Sequence, residues 1–410
     1  MDQISQLKRR LKLAGDDEPA YLGGAPSFDQ TLSFNQPTLS SFASIRPAIE
    51  KIIDSGQLTN GQNVKDFEAK ATDYFGRPAV AVASCTSGLI LMAKILGLAG
   101  HVIVPSFTFF ATTHALLWNN LKPRFVDIDP DSWTIDPEAV EKGIDSSVSA
   151  ILAVDIGGNP SEKDALEEIS KRHGIKLITD AAHAFGSVYK DKLVGGFGDA
   201  EVFSLSPTKL VVAGEGGLVT LSDPEVAEEL KVARDYGNSG DYNCQFVGLN
   251  ARMTEINAVI GMANMEQVSE SVARRNEIAE AYRINLKHLP GLTWQTVAAD
   301  NICAYKDISV LIEAVEFGMD RDLLGEALEA EGIGTRKYYS PPAHKQKAYG
   351  DKISIADKLI NTERVSQNVL SLPVFSHMKN EDIDRVCQAV IKIYKYRDEI
   401  LGKAERTFGG

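Results

Sequence analysis

The sequence predicts an α/β protein, with a large domain whose mostly parallel sheet is covered by helices and a smaller C-terminal α+β domain. Two observations carry this prediction. Apolar runs of strand length alternate with helical segments along the first half of the chain, and those runs are continuously apolar, as in strands buried on both faces. With 410 residues, the chain is also too long for one ordinary core and favours about two to three domains.

The elements of the large domain follow one another in a regular order. Its predicted strands are Ala79–Ala83, Val102–Pro105, Arg124–Asp127, Val148–Val154, Lys176–Thr179, Val202–Leu205 and Leu218–Leu221. The helices between them are Leu89–Leu98, Ala111–Trp118, Pro137–Gly143 and Glu162–His173. Since the last strand follows a glycine-rich turn, we expect it at an edge of the sheet.

Helices dominate the rest of the chain. The predicted elements are one long helix at Thr254–Leu289, a strand at Ile308–Ala314, and helices at Arg321–Glu331 and Glu381–Leu401. At the other end, residues 1–45 are polar and interrupted by glycine and proline, which indicates an arm. The expected organisation is an N-terminal arm, a large domain, a linking helix and a small domain, at residues 1–45, 46–262, 263–290 and 291–410.

Charge and hydropathy exclude several classes of protein. The net charge is −13 with acidic and basic residues interspersed, so a broad basic face for nucleic acid is not expected. No apolar run approaches the ~18 residues that span a bilayer, so no membrane association is expected. Residues 1–12 carry a basic cluster without the apolar stretch of a signal peptide, and they fit a short amphipathic helix.

The cysteines give no sign of a metal or disulfide framework. The four of them, Cys85, Cys244, Cys303 and Cys387, lie far apart and form no CxxC or Cys/His spacing. No metal is therefore expected, and a reducing cytoplasm is the simplest location.

An aspartate followed by a lysine is the most informative pair in the chain. Asp180 ends an apolar strand, and Lys209 follows it, ahead of the run Gly214-Glu215-Gly216-Gly217. A lysine that attacks a carbonyl has to be neutral, which requires a semi-buried setting such as the small and apolar neighbours of Lys209 provide. Lys209 alone would more often be a solvated surface lysine. Together with a carboxylate placed to hold a cationic ring nitrogen, it indicates pyridoxal phosphate.

Three further features stand at the carboxyl ends of predicted strands, where the ligands of such sheets collect. The turn Ser84-Cys85-Thr86-Ser87-Gly88 opens a helix whose free amides favour a phosphate, although an ordinary helix N-cap explains the same residues. Phe109 follows the next strand and is placed to stack on a flat ring, although such aromatics are more often core. His183 follows Asp180 and, alone, fits a structural histidine.

The order of these features along the chain strengthens the prediction of a common ligand site. A phosphate turn, an aromatic ring, an aspartate and a lysine succeed one another along one domain, and agreement among four weak signals is improbable by chance. In this combination the chain resembles the DegT/DnrJ/EryC1/StrS family of sugar aminotransferases, of fold type I among the pyridoxal phosphate (PLP) enzymes. The resemblance is carried by the segments Val126–Asp129, Asp180–Gly186, Phe203–Lys209 and Gly248–Met253.

The resemblance implies a role for each matching residue. Lys209 would carry the cofactor as a Schiff base, Asp180 would pair with the pyridinium nitrogen, and Phe109 would stack on the ring. His183 would lie near the ring hydroxyl. The residues implied to hold the phosphate within one subunit are Thr86, Ser87 and Ser204.

A homodimer with shared active sites is also implied, in which Asn250 reaches the phosphate of the partner subunit. The amino donor would be L-glutamate, Lys209 would serve as general base, and Asp180 would keep the ring nitrogen protonated.

The implied acceptor is a nucleotide-linked keto-deoxyhexose, whose diphosphate requires local cations in an acidic protein. The candidates for substrate binding are Lys306, Arg336, Lys337 and Tyr338, although a solvated surface explains these residues equally well.

The Gly214–Gly217 run resembles members of the family that aminate C4 of the sugar, so we expect a dTDP-4-keto-6-deoxyglucose 4-aminotransferase of deoxyamino sugar biosynthesis. A C3 keto-sugar aminotransferase or an inosose aminotransferase is the close alternative. A dehydratase branch resembles this family with histidine at the lysine position, and Lys209 argues against it. A regulatory protein that binds a sugar nucleotide without turnover stays open.

Overall fold

The computed structural model describes residues 17–408, so the amphipathic helix expected at residues 1–12 lies outside it. Its strands are β1 (Ala79–Val82), β2 (His101–Pro105), β3 (Lys122–Val126), β4 (Val148–Val154), β5 (Lys176–Asp180), β6 (Val188–Tyr189), β7 (Lys192–Leu193), β8 (Ala200–Ser204), β9 (Gly217–Leu221), β10 (Leu292–Trp294), β11 (Ile308–Ile312), β12 (Ser354–Ile355) and β13 (Val369–Leu372).

Helices account for most of the remaining regular structure in this range. They are α1 (Phe42–Ser55), α2 (Gln62–Phe75), α3 (Cys85–Ile95), α4 (Phe110–Trp118), α5 (Pro137–Gly143), α6 (Lys163–His173), α7 (Pro224–Ala233), α8 (Glu255–Met265), α9 (Val268–Leu286), α10 (Ala314–Phe317), α11 (Arg321–Ala330), α12 (Ile360–Asn368), α13 (Asn380–Lys395) and α14 (Arg397–Phe408). None of the described helices is long and apolar enough to cross a membrane.

Eight strands form the large sheet, in the order β1-β9-β8-β5-β4-β2-β3-β12. From β8 to β12 every neighbouring pair is parallel, which confirms the predicted mostly parallel sheet. The expected edge position of β9 is wrong, because β9 lies between β1 and β8 and is antiparallel to both. All five of its residues are buried, as an interior strand requires.

Alternate residues of the sheet pack into different apolar clusters on its two faces. In β4, Ala150 and Leu152 join the cluster under α3 and α4, whereas Ile151 and Ala153 join the cluster under α5 and α6. Burial on both faces explains why these strands are continuously apolar. It also leaves the carboxyl edge of the sheet as the place where polar loops can meet.

A smaller sheet of β10, β11 and β13 forms in the C-terminal part of the chain. The N-terminal segment packs against this part of the chain, because the buried carboxylate of Glu331 accepts hydrogen bonds from the amides of Ala20 (2.9 Å) and Ser27 (2.8 Å). The short strand β12 pairs with β3 and so completes the large sheet. The domain boundaries at residues 45, 262 and 290 stay predictions.

Two predicted helices are interrupted. The helix expected at Thr254–Leu289 consists of α8 and α9, which are separated at Glu266-Gln267. At this break the side chain of Gln267 donates to Ser40 Oγ (2.7 Å), so the turn is held by a residue far away in the sequence. The helix expected at Glu381–Leu401 consists of α13 and α14, and Tyr396 between them departs from helical geometry with φ −102° and ψ 20°.

A fully buried ion network supports β4 and β5 from the side. Lys163 Nζ lies 2.7 Å from Asp155 Oδ2, 2.9 Å from Glu201 Oε1 and 3.2 Å from Thr179 Oγ1. Burial alone lowers the pKa of Lys163, but the two carboxylates outweigh it and raise the pKa above its ordinary value. Since the amide of Asp155 donates to the carbonyl of Asp180 (3.2 Å), the network is connected to the end of β5.

Replacing Lys163 by methionine is expected to destabilise the protein strongly, because two carboxylates are then buried without a cation. The expected loss in the free energy of unfolding is about 3–5 kcal/mol, measured by urea denaturation. Lys190→Met is the control, because Lys190 pairs with Asp164 in solvent and should cost less than about 1 kcal/mol. Similar losses for the two variants would contradict this reading of the network.

Candidate active site

A cavity of about 390 Å³ opens at the carboxyl edge of the large sheet. Its walls come from the turns after β1 and β2, from the ends of β4 and β5 and the turns after them, from the end of β8 and the loop between β8 and β9, and from three residues of the C-terminal part. The predicted site residues that line it are Thr86, Phe109, Asp180, His183, Ser204, Lys209, Lys306 and Tyr338. The predicted residues Ser87, Asn250 and Arg336 do not line it.

Asp180 is buried at the end of β5 and holds its carboxylate in a fixed orientation. Oδ2 accepts a hydrogen bond from Thr112 Oγ1 (2.7 Å), and Oδ1 accepts one from the amide of Ala182 (3.2 Å). The Cys85 thiol lies 3.8 Å from Oδ1. Burial raises the pKa of Asp180 above its ordinary value.

The carboxylate of Asp180 has no cationic partner within 4.0 Å among residues 17–408. A buried carboxylate without a counter-ion is costly unless a ligand supplies the positive charge. The protonated ring nitrogen of a pyridine cofactor would supply that charge. The residues present therefore fit pyridoxal phosphate on this point.

Lys209 faces the same cavity from the loop between β8 and β9. Its side chain is half-buried, and its amide donates to the carbonyl of Ser206 (3.0 Å). Burial, followed by the nearby charge of Lys306, lowers the pKa of Lys209 to about 8. About a tenth of such an amine is neutral at pH 7, compared with less than a thousandth for an exposed lysine.

The glycine run after Lys209 has a steric reason. A Cβ on Gly217 would lie 2.6 Å from the carbonyl carbon of Ser84 and 2.7 Å from the amide nitrogen of Cys85. Only glycine lets the start of β9 pack this closely on the turn after β1. The close approach therefore brings the lysine loop next to the phosphate turn.

The turn after β1 has the features of an anion site. Ser84 caps α3, and its Oγ accepts from the amide of Ser87 (3.1 Å), while Ser87 Oγ accepts from the amide of Ser84 (3.0 Å). Both the amide and the hydroxyl of Ser87 are thus engaged in capping, and its role at a phosphate stays a prediction. The amides of Cys85 and Thr86 precede the first intrahelical bond and remain suitable for an anion.

His183 has a defined tautomer. The amide of Gly157 donates to Nδ1 (3.1 Å), so Nδ1 is the acceptor and Nε2 carries the proton. Nε2 lies 3.4 Å from the hydroxyl of Tyr339. Burial, assisted by the charges of Lys209 and Lys306, lowers the pKa of His183 well below its ordinary value. His183 is therefore a neutral hydrogen-bond donor at the cavity.

An aromatic wall closes one side of the cavity. Phe109 is 43% exposed, and its ring centroid lies 3.9 Å from that of Phe110 and 5.9 Å from that of Tyr339. An exposed phenylalanine at the mouth of a cavity leaves one face free for a flat ring. The position agrees with the stacking role that the resemblance implies.

The candidate substrate cations differ in their surroundings. Lys306 is buried and lines the cavity, next to Tyr338. Arg336 is exposed and lines two adjoining cavities on the outer side of Tyr338, where its guanidinium lies 5.7 Å from the ring of Phe34. Lys337 pairs with Asp322 (2.5 Å), so its charge is already compensated.

The sequence matches the model of the DegT/DnrJ/EryC1/StrS aminotransferase family over residues 41–391. This chain belongs to that family. The spore coat polysaccharide biosynthesis protein SpsC of Bacillus subtilis (strain 168) is 30% identical over 369 residues, which cover 85% of this chain and 94% of SpsC.

Solved structures agree with the family assignment. DesI, determined in the presence of its TDP-sugar product, has a TM-score of 0.89 and 35% identity, over 95% of this chain and 99% of DesI. S. venezuelae DesV, in complex with a ketimine intermediate, has a TM-score of 0.81 and 31% identity, over 88% of this chain and 99% of DesV. The fold is therefore that of fold type I PLP enzymes, and the chain is a PLP-dependent sugar aminotransferase.

Several residues of this aminotransferase site were not predicted from the sequence. Thr112 fixes Asp180, and Tyr339 meets His183, although neither position stands out in a sequence. Further hydroxyls at the cavity belong to Ser206 and Thr208. The run Ser204-Leu205-Ser206 contained the signal for Ser206, because alternate residues at the end of a strand share a face. No group of three or more potential metal ligands occurs among the described residues.

Asp180→Asn is expected to have opposite effects on stability and on catalysis. Since burial raises the pKa of Asp180, folding of the cofactor-free protein becomes less favourable as the pH rises from the unfolded-state pKa through the folded-state pKa. The variant should therefore unfold at a higher temperature than the cofactor-free wild type at pH 7, with the difference shrinking towards pH 4.

The same variant should lose at least about a hundredfold in transamination, because the ring nitrogen loses its counter-ion. Thermal unfolding and glutamate-dependent turnover measure the two effects. A cofactor-free variant that is less stable than the wild type at pH 7 would contradict the view that this carboxylate is held for a ligand.

Proposed function

We propose that this aminotransferase moves the amino group of L-glutamate to C4 of dTDP-4-keto-6-deoxyglucose in deoxyamino sugar biosynthesis. The observation that carries the proposal is the likeness to DesI over nearly the whole chain, since DesI was determined with a TDP-sugar product. The run Gly214-Glu215-Gly216-Gly217 supports it, because this run resembles C4-aminating members of the family.

Each half of the reaction requires a proton to move between carbon atoms, and Lys209 is the proposed base. Bound PLP supplies an electron sink for the carbanion. The Lys209 amine would accept the proton from the α-carbon of glutamate and, in the second half of the reaction, deliver a proton to C4 of the sugar. Asp180 would hold the ring nitrogen in its protonated form, and His183 would offer its Nε2–H to the ring oxygen.

The cofactor phosphate is proposed to bind at the turn after β1. The amides of Cys85 and Thr86 point away from the helix there, and the hydroxyls of Thr86, Ser204 and Ser206 face the same cavity. A helix N-terminus together with hydroxyl donors is a suitable setting for a dianion.

The diphosphate of the sugar nucleotide needs positive charge close to Tyr338. Lys306 on the cavity side and Arg336 on the outer side are the proposed sources of that charge. Phe109 at the cavity and Phe110 in the adjoining cavity, with ring centroids 3.9 Å apart, offer apolar surface beside them.

The substrate is tested with a panel of dTDP-linked 4-keto and 3-keto deoxysugars and an inosose, each with L-glutamate. We expect 2-oxoglutarate to form with the 4-keto sugar and NMR spectroscopy of the product to show the new amine on C4. Amination at C3, or of the inosose in preference, would replace the proposed regiochemistry. Binding of every sugar without 2-oxoglutarate would indicate a regulatory binder instead.

We further propose a homodimer in which Asn250 completes the partner's phosphate site. Asn250 is exposed and does not line the cavity of its own subunit. The neighbouring segment exposes Tyr236, Tyr242 and Val247, whose apolar surface favours burial against another protein surface.

Asn250→Ala is expected to weaken PLP retention by about 10- to 100-fold, because one hydrogen bond to a charged phosphate is lost. Equilibrium dialysis measures the affinity, and sedimentation velocity establishes the dimer. Asn243→Ala, in the same exposed segment, is the matched control and should retain the wild-type affinity. Equal PLP retention by both variants, or a monomeric wild-type holoenzyme, would refute the shared site.

A further inference from the structure

The ion pair of Lys306 and Asp307 forms part of the cavity wall. Lys306 Nζ lies 2.7 Å from Asp307 Oδ1, and the two side chains are only 3% and 5% exposed. Lys306 and Lys209 line the same cavity, whereas Asp307, the partner of Lys306, does not reach its wall.

The position of Lys306 is fixed by three contacts. Its amide donates to the carbonyl of Gly157 (2.8 Å), the residue whose own amide fixes His183. Its ammonium group lies 4.7 Å from the ring centroid of Tyr338. Together with Asp307, these contacts keep the cation buried beside the cavity rather than extended into solvent.

Lys209 lacks a comparable partner within the described chain, since no carboxylate lies within 4.0 Å of its amine. The oxygens of Asp180 are already engaged by Thr112 and Ala182. The titratable groups that face Lys209 from the surrounding elements are Cys85, Asp180, His183, Glu215, Lys306, Asp307, Tyr338 and Tyr339.

We propose that Lys306 is a positioning residue whose buried charge keeps the Lys209 amine in its neutral, proton-accepting form whenever that amine is free. This inference rests on the proposed role of Lys209 and goes beyond the proposed contact of Lys306 with the diphosphate. A like charge in a low-dielectric wall disfavours a second ammonium group. In agreement, Lys306 is the largest contributor after burial to the lowered pKa of Lys209.

The arrangement explains why the cation is compensated by Asp307. A buried cation is costly without a counter-ion, and Asp307 supplies one at 2.7 Å. Asp307 and Asp180 raise the pKa of Lys209, each by less than Lys306 lowers it.

The test uses the full-length protein freed of cofactor, without any sugar nucleotide. Competitive labelling with acetic anhydride, followed by peptide mass spectrometry, measures the pH midpoint at which the Lys209 amine becomes reactive. The wild-type midpoint should lie near 8. Lys306→Met should raise it by roughly one pH unit, which leaves about tenfold less neutral amine at pH 7.

Two control variants test whether the effect comes from the charge of Lys306 itself. One keeps the charge at this position, and the other removes a different cation farther from Lys209. Lys306→Arg keeps the charge and should keep the low midpoint. Lys337→Met removes a cation from the outer cavity wall, where Asp322 and solvent compensate it, and should leave the midpoint unchanged. A shift with Lys337→Met of the same size as with Lys306→Met would overturn the proposal.

The holoenzyme provides a second readout. The reaction with L-glutamate alone, followed by the loss of visible cofactor absorbance, should shift its pH profile upwards in Lys306→Met. Because no sugar is present, a diphosphate contact cannot produce that shift. An unchanged profile together with an unchanged labelling midpoint would overturn the proposal, and an altered KM for the sugar alone would leave Lys306 as a substrate cation only.

The double variant Lys306→Met/Asp307→Asn covers the case in which the single variant does not fold. It removes both charges, so no carboxylate is buried alone. Its labelling midpoint should still rise, by less than in the single variant, because Lys306 lowers the pKa of Lys209 more than Asp307 raises it. A midpoint that stays near 8 would refute the inference. Failure of the proposed function would give a different result. No 2-oxoglutarate would form with the sugar, whatever the pH midpoint at which Lys209 is labelled.

Discussion

A buried carboxylate that lacks a cation of its own is the constraint on which the site depends. Asp180 ends β5 in the middle of the large sheet, where Thr112, Ala182 and Cys85 hold its oxygens. Such a group is unfavourable until a ligand brings a positive charge, so the site is built to be completed by its cofactor. The buried network around Asp155 supports the same strand, which keeps that carboxylate in place.

The rest of the cavity gathers around this carboxylate through strand order. Parallel strands bring the turns after β1, β2, β5 and β8 to one edge, and the antiparallel β9 returns the chain there after Lys209. Gly217 allows the return to pack directly on the turn after β1. The lysine, the phosphate turn and the carboxylate are therefore brought together by backbone packing as much as by side-chain contacts.

Local patterns in the sequence were sufficient for the parallel strands and the helices between them, but they did not predict α1, α2, α7 and α12 or the strands β10, β12 and β13. Apolar runs predicted the parallel strands, and the order of Asp180 and Lys209 predicted the cavity that both residues line. Contacts between distant residues were not predictable. The interior position of β9 depends on pairing with β1, and the hydrogen bond between Tyr339 and His183 joins residues that lie far apart in the chain. The capping bonds of Ser87 were not predicted either, because a serine at the start of a helix fits both capping and ligand binding.

The central claim is that the Lys209 amine carries the cofactor and moves the proton. Reduction of the holoenzyme with borohydride, followed by proteolysis and mass spectrometry, tests it most directly. The account predicts that the mass of the reduced cofactor is found on the peptide that contains Lys209, and that Lys209→Ala loses both the label and the visible absorbance band. A band that borohydride still bleaches in Lys209→Ala, or a label on another lysine, would contradict the account.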